Sequence, residues 1–412
     1  MLAGDPCYDR LLAALPYRER FRRALGVARG QRLVLVTSTW GGASLLGRSE
    51  PQGPDAPPGL LPRLTAELSA DEYRTAAVLH PNVWHGHGPG QVRAWLDGAR
   101  RAGLLLIPPL EGWRQALIAA DCVIGDHGSV TFYAAALGRP VLLAAFPDPD
   151  AGADLDPASP VAALGRHAPR LNAAGSLRAQ IERAVSAHDP ARHAGPRELV
   201  TSAPGGSAAL LRALFYRLIG IPEPAGSPAL LDRLLPPRPE PAPRTAPLRV
   251  LTRPAAGPLP AVAVKRFAGP PFEPEAAGFE EAHTAVHEDT RDLAALAVAD
   301  LVLRGPGEDE AGPAGPPEAW TAEVLERHPG CALAAWITGP DRCLARPRGG
   351  GTLRLTAAPD ASGRPDLCDP AAYASALYAW LSGGGDLSRL AAEGLTVLTG
   401  GTGHHVRVEP GP

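Results

Sequence analysis

Lysine is almost missing from this 412-residue chain: Lys265 stands alone among 40 basic residues. Aromatic residues make up only 5%, and methionine occurs once, at Met1. The five cysteines, Cys7, Cys122, Cys331, Cys343 and Cys368, are scattered and contain no Cys-x-x-Cys pair. That pattern argues against a disulfide frame or a zinc finger, and for reduced thiols in a cytoplasmic protein. No stretch approaches the roughly 20 apolar residues of a spanning helix. The start, Met1 to Asp5, has neither the basic end nor the apolar centre of a signal peptide. A net charge of −3 gives no electrostatic case for nucleic acid or an anionic membrane. Gly349 to Gly351 and Gly400 to Gly403 lack the Lys-Ser/Thr of a phosphate-binding Walker loop, which leaves a GTPase unsupported. Neither a Gly-x-Ser-x-Gly elbow nor a dinucleotide fingerprint stands out, and no acidic metal pair is visible.

Glycine and proline, in contrast, are abundant, at 46 and 47 residues. This usage resembles that of GC-rich actinobacterial genomes, so both residues count for less as breakers. With 45% hydrophobic residues the chain suits two or three globular domains. Short apolar strands are expected over 33–37, 76–79, 104–107, 122–124 and 141–145. Helices are expected over 6–25 despite Pro16, 61–68, 91–101, 113–120 and 130–137. The alternation predicts an α/β fold with a doubly wound parallel sheet. A polar loop is expected over 44–59, and an Asp- and Pro-rich one after Pro147. Two more helices, over 177–187 and 206–219, are expected to pack back across the sheet. Proline-dense residues 221–247 read as a stiff linker. Residues 248–412 read as a second α/β domain, with strands over 248–252, 261–267, 299–303, 332–338, 352–356 and 395–398, and helices over 320–327 and 371–381. No motif assigns that domain a role.

The chain is organised around residues 119–144. Cys122-Val-Ile124 is a buried strand that leaves the sheet at Gly125-Asp126, and His127-Gly128-Ser129 turns into an Ala-rich helix closed by Gly138 and Pro140. A helix that points its N-terminus at a strand end is an anion site, with free N–H groups and the positive end of the dipole. Ser129 and the backbone of Gly128 to Val130 are the candidate phosphate cradle; a plain Ser cap, worth about 1 kcal/mol, is the simpler alternative. Asp126 can orient a hydroxyl or a histidine, or cap the helix. His80, ahead of Pro81 on the same rim, can assist a departing nucleotide or be satisfied by backbone. Thr39, with Thr37 and Ser38, can donate to phosphate or cap a turn. His85, His87, His404 and His405 read as loop histidines, and Arg139 as solvated.

Asp126-His-Gly-Ser-Val130, followed by Phe132 and Leu137-Gly-Arg-Pro-Val141, resembles the Asp-Tyr-Ser-Ser segment of CDP-glycerol glycerophosphotransferases. More loosely it is similar to the donor half of GT-B glycosyltransferases and sugar-nucleotide 2-epimerases. Gly4-Asp-Pro-Cys-Tyr-Asp-Arg-Leu11, Leu33 to Trp40 and Val78-Leu-His-Pro81 resemble further segments of that family in the same order, over about residues 3–146. The resemblance implies a GT-B-like nucleotide-binding domain over 1–220. Its donor would be of the CDP or UDP type, held by Thr39, His80, Gly128, Ser129 and Val130. His80 and Asp126 would be catalytic, with transfer of glycerol phosphate or sugar to a hydroxyl of a cell-envelope polymer. No cofactor is implied, and a divalent ion stays open; peripheral contact with a membrane stays open too. Gly128 and Tyr133 depart from the pattern, where a hydroxyl and an acid are usual. Three residues precede Gly4, so the acceptor half is expected on a separate polypeptide, upstream of a start set too late, or lost along with catalysis. The alternative reading is a non-catalytic nucleotide-binding or partner-docking protein.

Overall fold

The computed structural model describes residues 2–47, 59–147, 155–226, 228–269, 276–279, 281–305, 315–359, 363 and 367–411. Most of the expected loop 44–59 and the start of the loop after Pro147 lie outside them.

Helix α1, Pro6–Ala14, begins where the Asp5 carboxylate accepts from the Cys7 and Tyr8 N–H groups and Pro6 presets the first turn. The expected single helix over 6–25 is broken. Pro16 has no N–H to give, so Leu15–Tyr17 tightens into a 3₁₀ turn before α2, Arg18–Ala24. There follow β1 (Arg32–Ser38), α3 (Leu60–Glu67), β2 (Tyr73–Leu79), α4 (Pro81–His87), α5 (Pro89–Trp95), α6 (Asp97–Arg101), β3 (Leu105–Ile107), α7 (Trp113–Ala119), β4 (Cys122–Gly125), α8 (Ser129–Ala136) and β5 (Val141–Leu143). The five strands are parallel, in the order β3-β2-β1-β4-β5. This is a Rossmann-like α/β sheet. Strand β1 shows why it needs two covered faces: Leu33 and Leu35 join the core under α1, α2, α7 and α8, while Val34 and Val36 join the one under α3 to α5. The chain crosses one face on the way to β2 and β3 and the other on the way to β4 and β5. The order therefore reverses between β1 and β4.

His85 and His87, expected in a loop, occupy the last turn of α4. Pro81 at its first position and the His80 ring as cap start that helix, and Trp84 buries its inner face. Three helices complete this region: α9 (Pro160–His167), α10 (Leu177–Ser186) and α11 (Ala194–Glu198). α10 packs on the sheet through Leu177 and Ile181. α12, Ser207–Ile219, does not cross it as expected. Only Ser207 is buried, anchored by its N–H and hydroxyl to Asp9, while Phe215, Leu218 and Ile219 face solvent. The proline-dense segment lies along this region rather than spanning free: Glu240 pairs with Leu106 at the sheet edge and takes two N–H bonds from Arg93, both 2.7 Å.

From Leu248 on, nine strands close a barrel: β6 (Leu248–Pro254), β7 (Ala261–Phe267), β8 (Glu281–His287), β9 (Leu301–Arg304), β10 (Leu333–Gly339), β11 (Arg342–Pro347), β12 (Leu353–Ala357), β13 (Leu395–Thr399) and β14 (Thr402–Pro410). The order around it is β10-β11-β12-β14-β13-β7-β6-β8-β9. α13 (Leu293–Ala297) and α14 (Pro317–Arg327) lie outside, where Trp320 meets Trp336 edge-on. α15, Pro370–Ser382, fills the lumen; Ala372, Tyr373, Ala374, Ala376 and Leu377 are fully enclosed by inward residues such as Val262, Leu301 and Val406. A helix apolar on every side belongs inside a core, and alanine at most contact points lets nine strands close round it. α16, Leu387–Glu393, covers β14. His404 and His405, expected in a Gly-rich tail, are on β14, His404 buried and His405 exposed.

Among the described residues no helix is long and apolar enough to cross a membrane.

Candidate functional site

The reversal between β1 and β4 opens a crevice at the carboxyl ends of the strands, where doubly wound sheets hold their ligands. Its volume is about 200 Å³, and Thr39, His80, Asp126, Gly128, Ser129 and Val130 all line it. So do Pro109 and Trp113, which the sequence analysis did not single out for it. Gly112 ahead of a tryptophan at a helix start was the only signal.

Gly125 sets the floor. A Cβ there would collide with the hydroxyls of Thr37 and Thr131, which pair at 2.8 Å between the end of β1 and the first turn of α8. Asp126 then turns inward and is completely buried. One carboxylate oxygen accepts from the N–H groups of Thr39 (2.8 Å) and Leu45 (2.9 Å), and the other from Gly128 (2.9 Å). It ties the loop after β1 to the turn before α8, with both oxygens hydrogen-bonded.

Ser129 is not the N-cap. Gly128 takes that position, and Ser129 is the first helical residue, with its hydroxyl exposed. The N–H groups of Ser129, Val130 and Thr131 carry no hydrogen bond among the described residues, because the first turn of a helix has no partners of its own and Asp126 satisfies only Gly128. Three free donors and the dipole end face the crevice. His80 stands across from them. Its backbone N–H donates to the Ser38 carbonyl (3.0 Å), and its Nδ1 accepts from the Asn82 N–H (3.1 Å). In the neutral ring that places the proton on Nε2. Trp40, exposed on the rim, lies 6.3 Å from the His80 ring.

Several singled-out residues lie elsewhere. Tyr133 points away from the crevice, stacks between Tyr8 and Trp113, and donates to Asp5 at 2.7 Å; burial first, then the Asp5 bond, push its pKa far up. Arg139 is half-buried rather than solvated, and burial pushes it down to about 10. His87 meets Trp95 edge-on. Among the described residues no group of three His, Cys, Asp or Glu is placed to hold a metal ion.

No protein-family model matches the sequence, and no curated protein does. Solved structures with a similar chain path include the wall teichoic acid polymerase TagF, at 15% identity over 53% of this chain and 52% of that one, with a TM-score of 0.36. Alr3699/HepE of Anabaena, in complex with UDP and glucose, matches at 13% over 50% and 53%, with a TM-score of 0.29. UDP-GlcNAc 2-epimerase of Neisseria meningitidis, bound to UDP-GlcNAc, matches at 16% over 53% and 54%, with a TM-score of 0.27. This chain spans about half the length of each.

Proposed function

We propose that the crevice binds the diphosphate of a nucleotide-activated donor of the CDP or UDP type, within a GT-B-like domain over 1–220 that 221–247 joins to a second domain over 248–412. One observation carries this: three unengaged N–H groups at the start of α8 share an open crevice with His80. Such a cradle recognises phosphate oxygens without a metal ion, through donors already aimed at the charge. The crevice is large enough for a diphosphate, and at Thr39 and Leu79 it joins a wider groove flanked by Trp40 that suits the nucleoside. In an enzyme, His80 Nε2 would donate to the leaving phosphate, and glycerol phosphate or a sugar would pass to a hydroxyl acceptor. CDP-glycerol is the first donor to test, and a cytoplasmic place suits it.

A second reading has its own observation. Asp126 is fully engaged, so the crevice offers no free carboxylate as base. A nucleotide-binding protein without catalysis, or one whose base comes from another polypeptide, fits that arrangement. Calorimetric titration with CDP-glycerol, CDP, UDP-sugars and UDP tests the site. Micromolar-to-millimolar binding, weakened by Ser129→Ala and His80→Ala, is expected. No heat from any of the four in folded protein refutes the donor site. Binding without turnover on added polyol acceptors favours the second reading.

A further inference from the structure

A second chamber lies at the opposite end of the parallel sheet, about 20 Å along β2 from the crevice at some 3.3 Å per residue. Its volume is about 440 Å³, within the range of small-molecule sites. It is closed by parts remote in sequence: the end of α3, the start of β2, the proline-dense segment, and the mouth of the barrel over the N-terminus of α15.

The charges around it are mostly matched. Arg266, fully enclosed, binds Asp71 at 2.6 Å and Asp369, the cap of α15, at 2.9 Å. Burial alone would push its pKa down; the two carboxylates outweigh that and hold it charged. Arg304 binds Glu288 at 3.0 Å, and Arg101 binds Asp97 at 2.9 Å. Among the described residues, Asp289 has only His287, 3.8 Å away, and Arg74 only the Leu25 carbonyl; Arg244 has less still. It is solvent-exposed at the chamber wall, and it has no hydrogen bond or ion pair with any described residue. Desolvation by the protein around it lowers its pKa, and the attraction of Asp369 opposes this from a distance. A guanidinium with five donors and none engaged is suited to an oxyanion. The remaining walls are apolar, with Leu64, Leu68, Leu303 and Ile337 among them.

We propose that this chamber is a second ligand site for a small amphipathic anion, its head on Arg244 above the N-terminus of α15 and its body against those apolar walls. Asp71 and Asp369 do not bar the anion, since both already rest on Arg266. A ligand there touches both regions of the chain at once, so its binding is linked to how they sit against each other.

The probe is anilinonaphthalene sulfonate, an apolar body with one anionic group, followed by its fluorescence on the full chain. One saturable site is expected. Decanoate or decyl phosphate should displace the probe, the better of the two identifying the head as carboxylate or phosphate, and decanol should not. Arg244→Met and the milder Arg244→Gln should each weaken binding by about tenfold or more, with an unchanged or raised melting temperature, since an unengaged charge is removed. Ala246→Trp, on the chamber wall, should block it, and Ser129→Ala should leave it intact. Undiminished binding in both Arg244 variants, equal displacement by decanol, or no saturable binding overturns the proposal.

Discussion

The parallel sheet buries its strands on two sides and the barrel mainly on its inner side, and they leave room for ligands in different places. In the sheet, helices cover both faces, so only the strand ends stay open; loops meet there and polar side chains serve the backbone. Asp126 is the clearest case, since its two oxygens organise three loop N–H groups and leave those of α8 free. In the barrel, α15 takes the lumen and the interior is largely apolar, and the chamber lies at the mouth. The strand ends are organised by polar geometry, and the barrel with its core helix leaves its space at the mouth.

The largest effect should come from breaking the polar side of this contrast. Asp126→Ala strands the N–H groups of Thr39, Leu45 and Gly128 and should destabilise the chain by about 4 kcal/mol, read by urea denaturation. A loss below about 1 kcal/mol would show that the loops hold themselves. The apolar side has its counterpart in Leu377→Ala, which opens a hole in the lumen and should cost about 3 kcal/mol. A near-neutral result would mean that the barrel collapses onto the gap, and that the lumen is less tightly filled than the sheet cores.

A third change probes a polar ring buried in the barrel. His283 lies 4.4 Å from the Tyr378 ring with neither nitrogen bonded; burial first, then Arg249, push its pKa down to about 3. The folded state thus refuses a proton that the unfolded chain takes up near pH 6.5. The His283 contribution is complete above about pH 6.5 and is lost as pH falls toward 3, by a few kcal/mol in all. His283→Leu should flatten the decline between those values. An unchanged pH profile would mean that His283 finds a partner, or opens to water, before it titrates.

The same contrast explains what could be read from the sequence. Strands of the parallel sheet are continuous apolar runs such as 33–36 and 122–124, and the turn at Gly125 to Ser129 carries its own signals, so the sheet and the crevice residues were legible together. Cap and helix boundary were not: Gly128 rather than Ser129 fills the cap, one residue off. In the barrel, β8, β11 and β14 were missed because their outward positions hold charged residues, as with His405, Arg407 and Glu409 between His404, Val406 and Val408. Closure itself leaves no local mark. It follows from pairings such as β9 with β10 and β13 with β7, which join stretches far apart in the chain. Arg244 was invisible for the same reason, one arginine among proline-rich sequence until the fold sets it against the chamber.

The smallest effect on stability is the sharpest test of the crevice. Were Ser129 a helix cap, its hydroxyl would satisfy an N–H group, and Ser129→Ala would cost about 1 kcal/mol. As first helical residue with an exposed, unengaged hydroxyl, it should cost less than about 0.5 kcal/mol, since alanine is at least as good a helix former there. A nucleotide diphosphate in the cradle would miss that hydroxyl, so affinity should fall by roughly tenfold while stability stays put. Stability and affinity falling together would return Ser129 to a capping role. Affinity alone falling would separate the two and place the phosphate at the start of α8. If neither moves, the backbone N–H groups alone would have to carry the anion, and Ser129→Pro, which removes one of the three free N–H groups at a first helical position that tolerates proline, becomes the decisive variant.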